Sequence, residues 1–335
     1  MDLALTGNRF QIQQLSAQDA SEVLNQDVQE GLFERPRSLP PKYFYDDEGS
    51  KIFDAICKTQ DYYPTRTEST LLQNHAQEII DLVKPSACVE LGAGTSTKTE
   101  ILLSEVCDRL DDAGKFNYLS IDVCYEVLVE SAQRLLSKFN NLIIKSIAGE
   151  YAPAIRAVSE LDGPALYAFI GSSIANFSEA ESIELLSAVA SKMVLDDYFL
   201  IGMDRVKDKE ILERAYDDSE GVTARFNLNV LNVLNYKLGA NFDLSNFSHQ
   251  AVYNEQKNQI EMYLVSQCKQ EVNFPRLDKF ITLEKDEKIL TEISRKYTKA
   301  SIRDLLGRSG LKEVMHFESE NEYFSLVLAK KEMPK

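Results

Sequence analysis

Residues 89–99 read VELGAGTSTKT. It follows the apolar segment ACVEL and precedes TEILLSEV, whose apolar spacing is typical of a helix. A strand, a tight glycine turn and the start of a helix form the usual nucleotide-binding unit of an α/β sheet. We therefore expect this turn to hold a ligand that contains a nucleoside.

Short apolar strands alternate with amphipathic helices around this turn. The predicted strands are ACVEL, FNYLSIDV, NLIIKSIAG, PALYAFIG and DYFLIGMD. The predicted helices are TLLQNHAQEIIDLV, TKTEILLSEVCDRL, CYEVLVESAQRLLSKF and AESIELLSAVASKM. Such alternation predicts an α/β fold with a doubly wound parallel sheet.

The alternation stops after DYFLIGMD. Two helical segments and the hairpin HQAVYNEQKNQIEMYLVSQ follow, before a helix and a second hairpin that can close the sheet. We predict a second, α+β domain from residues 16–66 and 206–296, and a sheet domain from residues 67–205 and 297–335. Ligands of such sheets lie beyond the carboxyl ends of the strands, so the second domain is expected to form a lid. Pro40, Pro41 and Pro64 are expected to break any long helix.

Composition excludes several classes of partner. The 335 residues include 37 Lys and Arg against 53 Asp and Glu, a net charge of −16 without a basic cluster. Nucleic acid is therefore not an expected partner. No apolar run approaches the roughly 18 residues of a membrane span, so no membrane partner is expected. The beginning, MDLALTGNRFQIQQL, does not resemble a signal peptide.

The cysteines and histidines predict neither disulfides nor a metal site. The five cysteines are scattered and form no CxxC pair, which fits reduced thiols in the cytoplasm. The histidines, at positions 75, 249 and 316, are far apart in sequence. We expect a cytoplasmic monomer without a metal.

The turn departs from the dinucleotide fingerprint GxGxxG. Gly92 and Gly94 are present, but Thr97 occupies the third position. Acids follow three successive predicted strands, at Glu90, Asp122 and Glu150. Acids suit ribose hydroxyls, an adenine edge, a sulfonium and an ammonium, and they would repel a pyrophosphate. The pattern favours S-adenosylmethionine over NAD; a dehydrogenase, or a turn that only packs, is the less favoured alternative.

Several longer blocks resemble the histidine-specific N-alpha-methyltransferases of ergothioneine biosynthesis. They are YFYDDEGSKIFDAI, DYYPTRTE, ELGAGTSTKT, GSSIANF, DRVKDKEILERAYDDSEGVTARFNLNVL, NQIEMYLVS and TEISRKYT, in the family's order. The resemblance implies a class I methyltransferase fold with a substrate-binding domain. It also implies transfer of three methyl groups from S-adenosylmethionine to the α-amino nitrogen of L-histidine, giving hercynine. Methylation of another amino acid amine, such as a tryptophan derivative, is the alternative.

The segment TEISRKY carries the predicted imidazole contacts. In an extended segment, Glu292 and Ser294 point to the same side and could hold the two ring nitrogens. The resemblance implies this role, and it places Met262 at the same pocket. Without the resemblance, a surface acid and a helix cap would be the plainer interpretation. A partly buried Glu292 would favour a protonated imidazole.

The resemblance also implies contacts to the substrate carboxylate and amine. Tyr62 and Tyr216 would donate to the carboxylate without adding a full positive charge near the sulfonium; the choice of Tyr62 over Tyr63 rests on spacing. Asn176 would contact carboxylate and amine, and Tyr45 would face the amine directly or through water. The plainer alternatives are half-buried packing for Tyr62 and Tyr216, an aromatic plug between domains for Tyr45, and a helix N-cap or turn residue for Asn176. Because the motifs offer no histidine base, we expect Tyr45, Asn176 or water to relay the amine proton.

The remaining predicted contacts belong to the cofactor. Gly92 and Gly94 would let the backbone approach the methionine portion, and Lys98 would reach the cofactor. Asp122 would accept from the ribose hydroxyls. Glu150 and Tyr151 would contact the adenine.

Overall fold

The computed structural model describes residues 9–15, 20–111 and 114–332. Its strands are β1 (Phe10–Gln14), β2 (Arg37–Ser38), β3 (Ala87–Leu91), β4 (Phe116–Asp122), β5 (Leu142–Ala148), β6 (Ala165–Phe169), β7 (Tyr198–Asp204), β8 (Phe247–Asn254), β9 (Gln259–Ser266), β10 (Gln270–Phe274), β11 (Lys279–Leu283), β12 (Lys288–Arg295), β13 (Leu311–Glu318) and β14 (Phe324–Lys331). Its α-helices are α1 (Ala20–Leu32), α2 (Asp47–Ile56), α3 (Tyr63–Val83), α4 (Thr99–Cys107), α5 (Tyr125–Lys138), α6 (Tyr151–Ala157), α7 (Glu179–Lys192), α8 (Lys209–Tyr216), α9 (Val222–Leu238) and α10 (Lys299–Arg308). Short 3-10 helices cover Pro41–Phe44, Ser173–Asn176, Leu244–Asn246 and Pro275–Leu277.

The chain divides into two compact units. The first unit comprises Met1–Ser16, Pro64–Arg205 and Tyr297–Lys335, and the second comprises Ala17–Tyr63 and Val206–Lys296. The assignment of the second unit to substrate binding, and the expected lid, stay predictions.

An eight-stranded sheet forms the centre of the first unit, in the order β1-β5-β4-β3-β6-β7-β14-β13. The first six strands in this order, from β1 at one edge to β7, are parallel to one another. Strand β14 pairs antiparallel with β7, and β13 pairs antiparallel with β14 and forms the other edge of the sheet. The predicted doubly wound α/β fold is confirmed. The strand order reverses between β3 and β6, which is where such sheets bind their ligands.

Buried strands and two flanking helix layers make the core of this unit. Every residue of β3 and β6 is buried, as expected for strands covered on both faces. Apolar side chains form one cluster on each face of the sheet. The prediction for Pro64 was wrong: it is the second residue of the 21-residue helix α3. Proline is tolerated there because the first helical N–H groups need no partner within the helix.

The second unit contains a four-stranded sheet in the order β2-β12-β9-β8 and a separate β10–β11 hairpin. The predicted β8–β9 hairpin is present, and β12 pairs antiparallel with β9. TEIS therefore belongs to a strand, not to a surface segment between helices. A register shift between Leu290 and Glu292 places Glu292 opposite Met262 of β9.

Candidate active site

The glycine turn after β3 adopts left-handed backbone conformations that favour glycine, as its sequence predicts. Gly92 has a φ of +67° and Gly94 a φ of +48°. A Cβ atom at Gly92 would lie 2.9 Å from the hydroxyl of Tyr151. At Gly94, by contrast, no atom of the described residues lies within 4 Å of a would-be Cβ. The backbone there is accessible to a ligand.

Asp122, the last residue of β4, fixes this turn. Its Oδ2 accepts a hydrogen bond from the backbone N–H of Gly94 at 2.9 Å, and its Oδ1 accepts from that of Cys124 at 3.0 Å. Burial raises the pKa of Asp122, and the backbone hydrogen bonds oppose this effect. Each oxygen of a carboxylate can accept a further bond, so Asp122 can still receive ribose hydroxyls.

Glu150 and Tyr151 lie beyond β5, the next strand of the sheet. Exposed Glu150 is the N-cap of α6, and Tyr151 is the first residue of that helix. The Tyr151 ring packs edge-on against Phe169, with 5.5 Å between centroids. Burial raises the pKa of Tyr151 above its ordinary value, so its hydroxyl stays protonated. The predicted adenine contact is compatible with these positions and stays a prediction.

Glu90 does not act as the open ligand that the sequence suggested. It is 1% exposed, and its carboxyl group accepts hydrogen bonds from the Thr99 and Tyr118 hydroxyls. Burial raises the pKa of Glu90 to about 8, so the group is mostly neutral at pH 7. The argument from three strand-end acids therefore reduces to two, Asp122 and Glu150.

Lys98 is held by an acid that the sequence analysis missed. Its Nζ donates to Oε2 of Glu68 at 2.5 Å, and Glu68 is fully buried. Both oxygens of Glu68 also accept from the N–H of Gly171, at 2.8 and 2.9 Å. A Cβ at Gly202 would fall 1.8 Å from Oε1 of Glu68, so strand β7 needs glycine there. Glu68 ends the block DYYPTRTE, which was the available signal.

Asn176 is the last residue of the 3-10 helix that follows β6. Ser178 is the N-cap of α7, so Asn176 is not a helix N-cap, while its place in a 3-10 helix fits the alternative of a turn residue. The half-buried amide of Asn176 makes no hydrogen bond with the residues that the structure describes. It is therefore available to a ligand, and its predicted contacts stay predictions.

In the second unit, Glu292 and Ser294 point to the same side of β12, as expected for alternate residues of a strand. They are 8% and 3% exposed. Met262, which pairs with Glu292 across the sheet, is also buried. The predicted imidazole residues thus lie together on one face of this sheet.

Tyr216 ends α8 beside this group. Its hydroxyl lies 2.8 Å from Oγ of Ser294, and its ring packs edge-on against Tyr62, with 6.0 Å between centroids. Burial raises the pKa of Tyr62 well above its ordinary value, and Tyr216 adds to this effect. The neighbouring Tyr63 instead accepts a hydrogen bond from Lys207 at 2.6 Å. The choice of Tyr62 over Tyr63 as carboxylate donor stays a prediction.

Tyr45 follows the 3-10 helix Pro41–Phe44 and packs edge-on against Phe53 and Phe226, with 5.6 Å between centroids in each pair. All three rings belong to the second unit, so these contacts do not test the plug between domains that was considered as its plainer role. The predicted contact with the amine is not tested by them either.

A buried lysine completes the group and was missed. Lys296 is 4% exposed, and its Nζ donates to the hydroxyls of Tyr216 and Ser294, both at 2.9 Å. Burial raises the pKa of Glu292 to about 7, and Lys296 partly offsets this. The Glu292 carboxyl itself makes no hydrogen bond with any described residue. The ammonium donates to the Tyr216 hydroxyl, so a positive charge lies beside one of the two predicted carboxylate donors.

The described residues offer neither a metal site nor a membrane-spanning helix. Residues 9–15, 20–111 and 114–332 contain no group of three or more His, Cys, Asp or Glu side chains placed to hold a metal ion. Within the same residues, no helix combines the length and the apolar character needed to cross a bilayer.

Residues 24–331 match the family described as histidine-specific, SAM-dependent methyltransferases. The chain belongs to this family. A histidine N-alpha-methyltransferase from Mycolicibacterium smegmatis is 38% identical over 316 residues, covering 94% of this chain and 97% of the relative. Ergothioneine biosynthesis protein 1 from Schizosaccharomyces pombe is 26% identical over 308 residues, 88% of this chain and 39% of its own length. An L-tryptophan methyltransferase from Psilocybe serbica is 28% identical over 312 residues, 85% of this chain and 86% of its own.

Membership of this methyltransferase family confirms the resemblance and the prediction of S-adenosylmethionine as cofactor. The turn suits that molecule: the backbone is open at Gly94, Asp122 can accept hydroxyl protons, and the aromatic ring of Tyr151 lies beside Gly92.

Proposed function

We propose that this methyltransferase converts L-histidine to hercynine by three methylations of the α-amino nitrogen, the first step of ergothioneine biosynthesis. The observation that carries the proposal is Glu292, a buried carboxyl group without a hydrogen-bond partner among the described residues, two positions from Ser294. A buried acid that accepts no hydrogen bond destabilises a fold, so a ligand that donates to it explains its presence. An imidazole offers one nitrogen to the acid and one to the hydroxyl.

S-adenosylmethionine supplies an already activated methyl group, so positioning the amine accounts for most of the catalysis. Gly92, Gly94 and Asp122 are proposed to bind its methionine and ribose portions. Lys98 is proposed to reach it as well, and Glu150 and Tyr151 are proposed to contact the adenine.

The remaining proposed residues bind the α-carboxylate and the α-amine of histidine. Tyr62 and Tyr216 donate to the carboxylate. Asn176 donates to the carboxylate and accepts from the amine. The amine must lose a proton to become nucleophilic, and we assign the relay to Tyr45, Asn176 or water. A firm hold on carboxylate and ring leaves the nitrogen free to rotate between transfers.

Mass spectrometry of the purified chain incubated with S-adenosylmethionine and each common amino acid separately tests the function. Histidine should gain three methylene increments, and the Glu292→Gln variant should lose this product while still binding S-adenosylhomocysteine. A product from tryptophan, with none from histidine, would refute the proposal.

A cytoplasmic monomer remains our expectation, and size-exclusion chromatography checks the oligomeric state.

A further inference from the structure

A buried carboxylate, that of Glu68 in α3, lies between the loop after β6 and the start of α4. It accepts from the backbone N–H of Gly171 with both oxygens and from the ammonium of Lys98 at 2.5 Å. Strand β7 has a glycine at position 202, where a Cβ atom would lie 1.8 Å from Oε1 of Glu68. The central sheet therefore leaves room for this acid at a defined place.

Lys98 is the member of the ion pair that a ligand can reach. Its side chain is 21% exposed, whereas that of Glu68 is fully buried. Lys98 directly precedes the first residue of α4, and its Nζ lies 3.5 Å from the position that a Cβ atom of Gly171 would take. The ammonium thus joins the loop after β3 to the loop after β6. The strand order reverses between these two strands, where such sheets bind their ligands.

Stability alone does not account for the ion pair. Moving two charges out of water is costly, and apolar side chains can often replace a buried ion pair without loss of stability. Among the described residues, no acid other than Glu68 lies within 4 Å of the Lys98 ammonium. Glu90, which also interacts with Lys98, is mostly neutral at pH 7 because burial raises its pKa to about 8. Removing Glu68 would therefore leave an unpaired cation at the cofactor side of the sheet.

The charge of the cofactor makes this pairing important. In S-adenosylmethionine, the carboxylate and the ammonium of the methionine portion balance each other, and the sulfonium adds one positive charge. S-adenosylhomocysteine, which remains after the methyl group has left, lacks the sulfonium charge. An unpaired lysine ammonium would therefore repel the methyl donor more strongly than the product.

We propose that Glu68 is a positioning residue of the cofactor site, which holds the Lys98 ammonium in place and neutralises it, so that the lysine contacts the cofactor without repelling the sulfonium. This inference rests on the proposed contact of Lys98 with the cofactor and deepens it. Contacts to the parts that S-adenosylmethionine and S-adenosylhomocysteine share cancel in the ratio of their Kd values, whereas the effect of charge on the sulfonium does not.

Calorimetric titration of the purified chain with each of the two molecules, without histidine, measures this ratio. Glu68→Gln keeps the size of the side chain and removes its charge. The Kd for S-adenosylmethionine, divided by that for S-adenosylhomocysteine, should then rise about tenfold. Adding Lys98→Met to Glu68→Gln removes the unpaired cation and should return the ratio to its original value, which the loss of a purely structural contact would not do.

Two single variants complete the test. Lys98→Met alone leaves the acid without its cation and should shift the ratio in the opposite direction, so it decides the question if Glu68→Gln does not fold. Glu78→Gln is the matched control. It removes an exposed carboxylate from the same helix, ten residues or about 15 Å further along, and should leave the ratio unchanged.

An unchanged ratio in folded Glu68→Gln would overturn the inference, and so would a ratio that rises or stays the same in Lys98→Met. If Lys98→Met binds both molecules as tightly as the unmodified protein does, the proposed contact of Lys98 fails as well. The titrations contain no histidine, so a failure to methylate histidine would refute the proposed function and not this inference.

Discussion

Replacing Glu292 with glutamine should stabilise the protein at alkaline pH while it weakens histidine binding. Burial raises the pKa of this carboxyl from 4.5 to about 7 in the folded protein. The folded state therefore holds the proton more tightly than the unfolded state does. The contribution of protonated Glu292 to the free energy of unfolding is complete below about pH 4.5. It decreases as the pH rises and is lost above about pH 7.

The difference between the two pKa values sets the size of the effect. At about 1.4 kcal/mol for each tenfold change, ionised Glu292 lowers the free energy of unfolding by about 3 kcal/mol at pH 8. Glutamine cannot ionise, so the variant escapes this loss. About 1 kcal/mol of this loss is already present at pH 5, so the stability difference between variant and unmodified protein should grow by about 2 kcal/mol between about pH 5 and about pH 8.

Urea unfolding followed by circular dichroism at both pH values measures this difference. Glu261 provides a matched control in the neighbouring strand β9. Burial raises its pKa, but hydrogen bonds from Tyr263, Gln259 and Asn254 outweigh this and lower it overall. Compared with the unmodified protein, Glu261→Gln should therefore be less stable at pH 8 than it is at pH 5. If the Glu292→Gln difference is the same at both pH values, the assignment of a destabilising buried charge is wrong.

Three further results are expected. Asp122→Ala should weaken S-adenosylhomocysteine binding in calorimetry about tenfold or more, because the turn loses its acceptor; normal affinity would place the ribose contact elsewhere. Gly92→Ala should lower the free energy of unfolding by at least about 1–2 kcal/mol, from the positive φ and the contact with Tyr151; an unchanged unfolding midpoint would contradict this. Tyr62→Phe should raise the KM for histidine, whereas Tyr63→Phe should not; equal effects would refute the choice between them.

The sheet was predictable because its evidence is local. Period-two and helical spacings around residues 89–99 mark each strand and helix, and the chain order of these elements leaves few topologies. Strand β1 was missed, because FQIQQ is short and largely polar, and its partner β5 lies more than a hundred residues away in the chain.

The site was only partly predictable, for a related reason. The family resemblance indicated Glu292 and Ser294, but not which charges surround them. Glu90 accepts a hydrogen bond from Tyr118, and Lys98 donates one to Glu68. Both partners are distant in sequence, so spacing alone does not reveal them. Lys296 lies two residues beyond Ser294, and only the strand geometry places its ammonium against Tyr216.

The pairing of β7 has a consequence for biosynthesis of the polypeptide. One side of β7 pairs with β6, and the other pairs with β14, where Ile201 faces Val327. All of residues 206–296 are translated between these two strands. A nascent chain that has left the ribosome only as far as β7 therefore presents an unpaired strand edge, a template for aggregation. Ribosome stalling within that interval should make the protein dependent on chaperones until β14 emerges.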